Sequence, residues 1–153
     1  MTGNNIRTIM APLAQDYVML PASAVAEVVN FTSPKPLKNA PSWLLGELAW
    51  NGWQVPVINL EKLIKSDHPG KTTAKARILV VKTLGESTLV NYIGLVIQGL
   101  PRLKKVNETD LIEKQTDKLH AAVFSEVSID DMHAIIPELS ALTQTVEHSA
   151  YDT

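Results

Sequence analysis

Four histidines, His68, His120, His133 and His148, and one adjacent carboxylate pair, Asp130-Asp131, are the side chains of this 153-residue sequence whose types most readily do chemistry. Paired imidazoles bind a metal when a spacing such as His-Glu-x-x-His puts them on one helix face, and none of the four stands at such a spacing. Each reads as a surface or strand-edge histidine. Neighbours on a strand point to opposite faces, and in a turn both are solvated, so Asp130 and Asp131 do not read as an acid/base dyad. The chain has no cysteine, which excludes thiolate nucleophiles, disulfides and cysteine metal sites and suits a reducing compartment. Gly-x-Gly-x-x-Gly, phosphate-loop and Gly-x-Ser-x-Gly patterns are also missing. The expectation is a protein that is not an enzyme and uses no cofactor or metal.

What remains is the chemistry of recognition. All three tryptophans, Trp43, Trp50 and Trp53, fall within residues 37–60 of a chain that is only 5% aromatic. Tryptophan joins a large apolar area to one polar handle and is enriched at binding hot spots. Asn51-Gly52, between two apolar runs, is the signal for a two-residue type I′ hairpin, because both central positions of that turn need positive φ. Residues flanking such a turn are paired across the ladder, so Trp50 and Trp53 are expected side by side at the tip. Core and interface are both open to each indole, but their concentration in one hairpin predicts at least one exposed. Trp43, behind Pro41 and before an apolar run, is assigned to packing, and Trp50 to the interface.

The elements that must carry these residues are strands. Apolar runs occupy residues 6–13, 17–20, 25–31, 44–50, 53–60, 77–81, 89–100, 121–127 and 132–136, with turn residues every ten or so positions, a pattern of barrels or sandwiches. Alternation over residues 53–58 puts Trp53, Val55 and Val57 on one face and Gln54, Pro56 and Ile58 on the other; Pro56 predicts an edge strand or an interruption. Gly94 predicts a bulge or a close backbone approach. Helix is expected only at 60–64 and 137–146, where Pro137 suits a first turn, and residues 148–153 are expected to form a flexible tail. The polar stretch 65–75, containing Pro69-Gly70, reads as a linker. Both halves open with strand, polar turn and strand, the turns being 14–16 and 85–87, which hints at two small barrels.

Charge narrows the partners. Fourteen basic and 16 acidic residues give a net charge of -2 with no concentrated cationic segment, which disfavours nucleic acid and anionic membrane. Arg102, Lys104 and Lys105 read as a solvated strand edge. No stretch approaches the ~18 apolar residues of a membrane span, and residues 1–7 lack the apolar core of a signal peptide. A soluble cytoplasmic protein without membrane insertion is expected.

A series of residues then carries a resemblance: Leu20-Pro21, Val25-Ala26-Glu27-Val28, Ala40-Pro41-Ser42-Trp43, Gly46, Asn51-Gly52 and Val55-Pro56-Val57-Ile58-Asn59-Leu60. In this order the chain resembles the CheW-like domain, with its Val-x-Glu element, its Pro-x-Trp-aliphatic-x-Gly turn and its strand built around Val-Pro-Val. Arg77-Ile78-Leu79-Val80-Val81 and Ile93-Gly94-Leu95-Val96 are similar to the second half of that pattern, so the likeness spans about residues 6–140. It implies a mainly β fold of two five-stranded SH3-like barrels about a shared core with a short C-terminal helix. The single domain would span 6–147, with subdomains at about 6–64 and 76–140. The implied role is that of an adaptor between the regulatory domain of a CheA-type histidine kinase and the cytoplasmic tips of chemoreceptors, with no catalysis and no cofactor. The partner-binding residues expected from it are Val25, Glu27, Val28, Trp50, Asn51, Gly52, Trp53 and Val57. The opening residues 6–13 and the tryptophan-flanked turn look closest to the ChpC-type branch of twitching-motility systems. Two positions depart from the family: Asn51 stands where an arginine is usual, and Gln98 where an aspartate is common. The first favours an accessory module that modulates a principal adaptor. From another class, a small β-barrel enzyme or ligand-binding protein would require an apolar pocket with convergent polar groups.

Overall fold

The computed structural model describes residues 5–65, 68–70, 72–85, 89–114 and 119–151. They form strands β1 (Asn5–Pro12), β2 (Tyr17–Pro21), β3 (Val25–Asn30), β4 (Leu44–Trp50) and β5 (Trp53–Ile58), then helix α1 (Leu60–Ile64). There follow β6 (Arg77–Lys82), β7 (Tyr92–Ile97), β8 (Arg102–Asn107), β9 (Ile112–Glu113), β10 (Val123–Ile129), β11 (Met132–Pro137) and helix α2 (Leu139–Tyr151). Every apolar run holds a strand. β8, where Arg102, Lys104 and Lys105 read as a strand edge, and β9 lie outside the runs; only Val106 of the six residues of β8 is buried, so it has no apolar periodicity.

The continuous runs arise because many strands are buried on both faces. Val18 and Leu20 of β2, Leu79 and Val81 of β6, Ile93 and Leu95 of β7 and Ile135 of β11 enter one core shared by both sheets and both helices. The alternate residues enter private cores: Met10, Met19 and Ala134 in one sheet, Ile78, Val80 and Val96 in the other. A strand covered on both sides reads as a near-unbroken apolar stretch rather than as alternation.

The first sheet has six strands in the order β8-β1-β2-β11-β10-β9 and the second five in the order β3-β6-β7-β5-β4. This division departs from consecutive subdomains at 6–64 and 76–140. The β1–β2 hairpin pairs antiparallel with β8 and parallel with β11, so the second sheet is nested in the chain between two parts of the first. Period-2 patterning shows which residues face a core but not which strands pair.

Both sheets must curl. The edge strands β8 and β9 are joined by a single turn of 3-10 helix, Glu108–Asp110. Six strands laid flat would separate those edges by roughly 24 Å, whereas the five residues from one to the other reach about 18 Å at most. In the second sheet, the segment after β3 returns to β4 at the opposite end of the strand order. Lys35 N donates to Glu47 O at 2.8 Å and Glu47 N to Lys35 O at 2.9 Å. Gly46 makes this approach possible. Its φ is +143°, and a Cβ there would lie 2.2 Å from the Lys35 carbonyl oxygen.

Pro56 does not mark an edge. β5 lies between β7 and β4, but its parallel ladder with β7 covers only Val57↔Gly94 and Ile58↔Leu95, starting immediately after the proline. Gly94 marks a close approach rather than a bulge: the β6–β7 register runs through it unbroken, and a Cβ there would be 2.9 Å from Ile78 Cγ2 and 3.1 Å from Val57 Cγ2.

Asn59 caps α1, its side chain accepting from Lys62 N at 3.0 Å. Pro137 ends β11 instead of opening a helix, and α2 continues through residues 148–151, where a tail was expected. Ala150 and Tyr151 pack against the shared core, which holds that end of the helix in place. Residues 152–153, part of the 65–75 stretch and most of the 85–87 turn lie outside the described residues.

Candidate functional site

The β4–β5 hairpin turns as its residues predict. Asn51 and Gly52 have φ of +48° and +82°, and Trp50 pairs with Trp53 across the ladder. No atom lies within 4 Å of where a Gly52 Cβ would be, so only backbone conformation resists a side chain there. Gly52→Val is therefore expected to cost roughly 1 to 3 kcal/mol, the strain of a disfavoured φ/ψ region. Urea unfolding should show a lower midpoint, and an unchanged midpoint would mean that the turn tolerates β-branching.

The two indoles meet a third ring. Tyr92, the first residue of β7, lies 4.8 Å from Trp50 and 5.4 Å from Trp53 between ring centroids, at interplanar angles of 65° and 62°. Such edge-to-face contacts place the positive edge of one ring against the negative face of another. The Trp50 indole N–H donates to Glu27 Oε1 of β3 at 2.9 Å. Trp50 also packs against the private core of the second sheet, whereas Trp53 is 43% exposed. Trp53, rather than Trp50, is thus the freely presented indole. Trp43 packs against the shared core, in the role assigned to it.

Of the residues expected to bind a partner, Glu27, Trp50, Asn51, Gly52 and Trp53 come together at one rim. Glu27, Asn51 and Gly52 are exposed. Val25 and Val28 are half-buried against the shared core. Val57 is 0% exposed and packs with Ile78, Val80 and Val96, so it cannot touch a partner. The alternation that grouped it with Trp53 is real, but that face enters the barrel beyond the tip. Tyr92 was not singled out from the sequence. Its one signal was an aromatic at the head of an apolar run.

Most of the histidines and carboxylates singled out from the sequence sit in local contacts. His133 Nδ1 lies 2.7 Å from Asp16 Oδ1, and its Nε2 lies 2.9 Å from Glu126 Oε1, near enough for an ion pair though not aligned as a hydrogen bond. Lys65 Nζ reaches Asp16 Oδ2 at 3.3 Å. Burial pushes the Asp16 carboxyl up, but hydrogen bonds and charge from His133 and Lys65 outweigh it and hold the group below the ordinary aspartate range. His68 is buried rather than superficial: its Nδ1 accepts from Gly70 N at 3.0 Å, and its Nε2 stands 3.8 Å from Glu61 Oε2. His120 Nδ1 accepts from Ala122 N at 3.0 Å. His148 lies on α2. Asp130 and Asp131, both at positive φ, form the β10–β11 turn, and Asp130 pairs with Lys104 on the β8 edge. Gln98 accepts at Oε1 from Thr73 N at 3.1 Å and Thr73 Oγ1 at 2.8 Å, tethering the segment before β6. Tyr151 Oη donates to Glu47 Oε2 at 2.6 Å, and burial together with that carboxylate pushes the phenol up.

An apolar cavity of about 150 Å³ opens in the first sheet, lined by residues that include Ile6, Met19, Val106 and Ile136. Its one side-chain hydroxyl, on Thr8, already donates to Lys104 O at 2.8 Å. Pockets for small ligands are usually several hundred cubic ångströms with converging polar groups.

Fold and site together define a mainly β module of two curled sheets about a common core, whose distinctive chemistry is an aromatic hairpin at the surface. The family model of the CheW-like domain matches residues 7–147, and the chain belongs to that family. The crystal structure of the scaffolding protein TtCheW from Thermoanaerobacter tengcongensis shares the fold with a TM-score of 0.73. It is 22% identical, and the match covers 90% of this chain and 87% of that one. No curated protein matches the chain.

Proposed function

We propose that this chain is a non-enzymatic scaffold of chemosensory signalling, joining the regulatory domain of a CheA-type histidine kinase to the cytoplasmic tips of chemoreceptors. Family membership over residues 7–147 carries the proposal. The solved relative is described as a scaffolding protein. The molecule offers surface chemistry suited to such work, with an exposed indole flanking a tight two-residue turn. It acts in the cytoplasm at receptor arrays; no helix among the described residues is long and apolar enough to cross a membrane. Its place in a twitching-motility system of the ChpC-type branch rests on residues 6–13 and the tryptophan-flanked turn, and deletion of the gene should then shrink twitching zones while leaving pili assembled.

Titration of the purified protein with the kinase regulatory domain and with a receptor-tip fragment tests the role directly. Binding to at least one is expected below ~100 μM, the range of transient signalling interfaces. Trp53→Ala should weaken that binding by about 2 kcal/mol, roughly 30-fold, with little change in melting, because the side chain is largely exposed and belongs to no core, its contact with Tyr92 lying at the surface. Trp50→Ala should lower both affinity and melting temperature. Failure of both partners to bind would falsify the adaptor role, and a Trp53→Ala protein of full affinity would remove the hairpin from the interface.

A further inference from the structure

We propose that the rim formed by Trp53, Tyr92 and Glu27 is a receptor site for an arginine side chain of a partner protein. This rests on the hairpin being a partner-facing surface and adds what that surface recognises. The three residues come from three strands, β5, β7 and β3, and are brought together because the second sheet curls until β3 faces β4.

Glu27 is exposed, and only its Oε1 is engaged, by the Trp50 indole; Oε2 has no hydrogen-bond partner among the described residues. A carboxylate held by one hydrogen bond and open on its other oxygen is pre-oriented to accept from a cation. The Trp50 indole that holds this carboxylate also meets Tyr92, and Tyr92 in turn meets Trp53, so these rings adjoin Glu27 through Trp50, and the negative face of an aromatic ring attracts a cation within about 6 Å. Carboxylate and π faces thus favour the same charge sign from two directions.

The preference for arginine over lysine follows from shape and hydration. A guanidinium is planar, stacks on an aromatic face while its N–H groups still reach a carboxylate, and is more weakly hydrated than an ammonium. Lys82 stands opposite Tyr92 across β6–β7 and is itself exposed. Its charge opposes either cation alike, so shape and hydration set the preference.

Nitrogen–proton spectra of the full chain resolve the question, since the three tryptophans supply three indole N–H signals. The probes are N-acetyl-arginine methylamide, its uncharged citrulline isostere and N-acetyl-lysine methylamide. The arginine probe should shift the Trp53 and Trp50 signals saturably with a Kd on the order of 1–10 mM, as one site of this size allows, while Trp43 stays in place. Lysine should bind several-fold and citrulline at least tenfold more weakly. Glu27→Gln, which keeps an oxygen for the Trp50 N–H, should weaken the arginine probe at least tenfold without lowering the melting temperature. Equal shifts from arginine and citrulline, movement of all three indoles together, or an unaltered Kd in Glu27→Gln would overturn the site. Those outcomes, in a protein that still binds kinase or receptor, leave the adaptor role standing. Arginine binding in a protein that binds neither partner supports the site while sinking the adaptor role.

Discussion

Gly46→Ala is expected to lower stability by about 4 kcal/mol or more and to reopen the second sheet. The new Cβ would sit 2.2 Å from the Lys35 carbonyl oxygen, 2.6 Å from its carbon and 3.0 Å from Pro36 N, all backbone atoms that no side-chain rotation can move away. Relief requires the Lys35 strand to withdraw, which breaks both hydrogen bonds to Glu47. Net losses of about 0.5 to 1.5 kcal/mol per hydrogen bond add to roughly 1 to 3 kcal/mol for a φ of the left-handed half, and the clash itself adds strain. For a domain this size each 1 kcal/mol shifts the melting temperature by about 2–4 °C, so a fall on the order of 10 °C should appear in a circular-dichroism melt. Hydrogen exchange at the amides of Lys35 and Glu47 should rise with it. A melting temperature within a degree or two of the parent would show that the sheet does not depend on this contact.

Glu61→Ala is expected to cost roughly 3 to 5 kcal/mol and to loosen one sheet from the other. The Glu61 side chain is only 3% exposed; Oε1 accepts from Ala14 N at 2.7 Å and Oε2 from Gln15 N at 3.0 Å. Those amides belong to the β1–β2 turn of the first sheet, while Glu61 lies on α1, which follows directly from β5 of the second. Alanine removes the acceptor of both amides; Ala14 and Gln15 are themselves exposed, so the cost is that of two lost hydrogen bonds to a charged group, about 1.5–3 kcal/mol each. Glu61→Gln retains one carbonyl oxygen and should lose roughly half as much. Guanidinium unfolding of the parent and the two variants should rank them in that order. Equal stability of alanine and glutamine variants would mean that the amides find other partners and that the carboxylate is not the clamp.

Much of the fold was legible because it rests on local rules. Asn51-Gly52 specifies its turn through the φ values it tolerates, and the turn in turn places Trp50 beside Trp53. The apolar runs mark the strands because most strands are covered on both faces. That same double covering hid the role of Val57, since alternation separates two faces without saying which, if either, meets solvent. β8 was legible only from its charges, as the solvated strand edge read at Arg102, Lys104 and Lys105, because it carries no apolar signal.

The candidate site divides in the same way. By itself the sequence determined the hairpin, its flanking indoles, the strand content and the family pattern, all set within a few residues by backbone preference and apolar order. Only tertiary structure decided that β1–β2 would pair with β8 and β11, that β3 would curl to face β4, and that Glu27 and Tyr92 would therefore reach the hairpin. The contacts that result join residues far apart in the chain, such as Trp50 with Glu27, 23 positions away, and His133 with Asp16, 117 away. They are settled by how two sheets can bury their apolar faces around one core, a property of the whole chain that no local window contains.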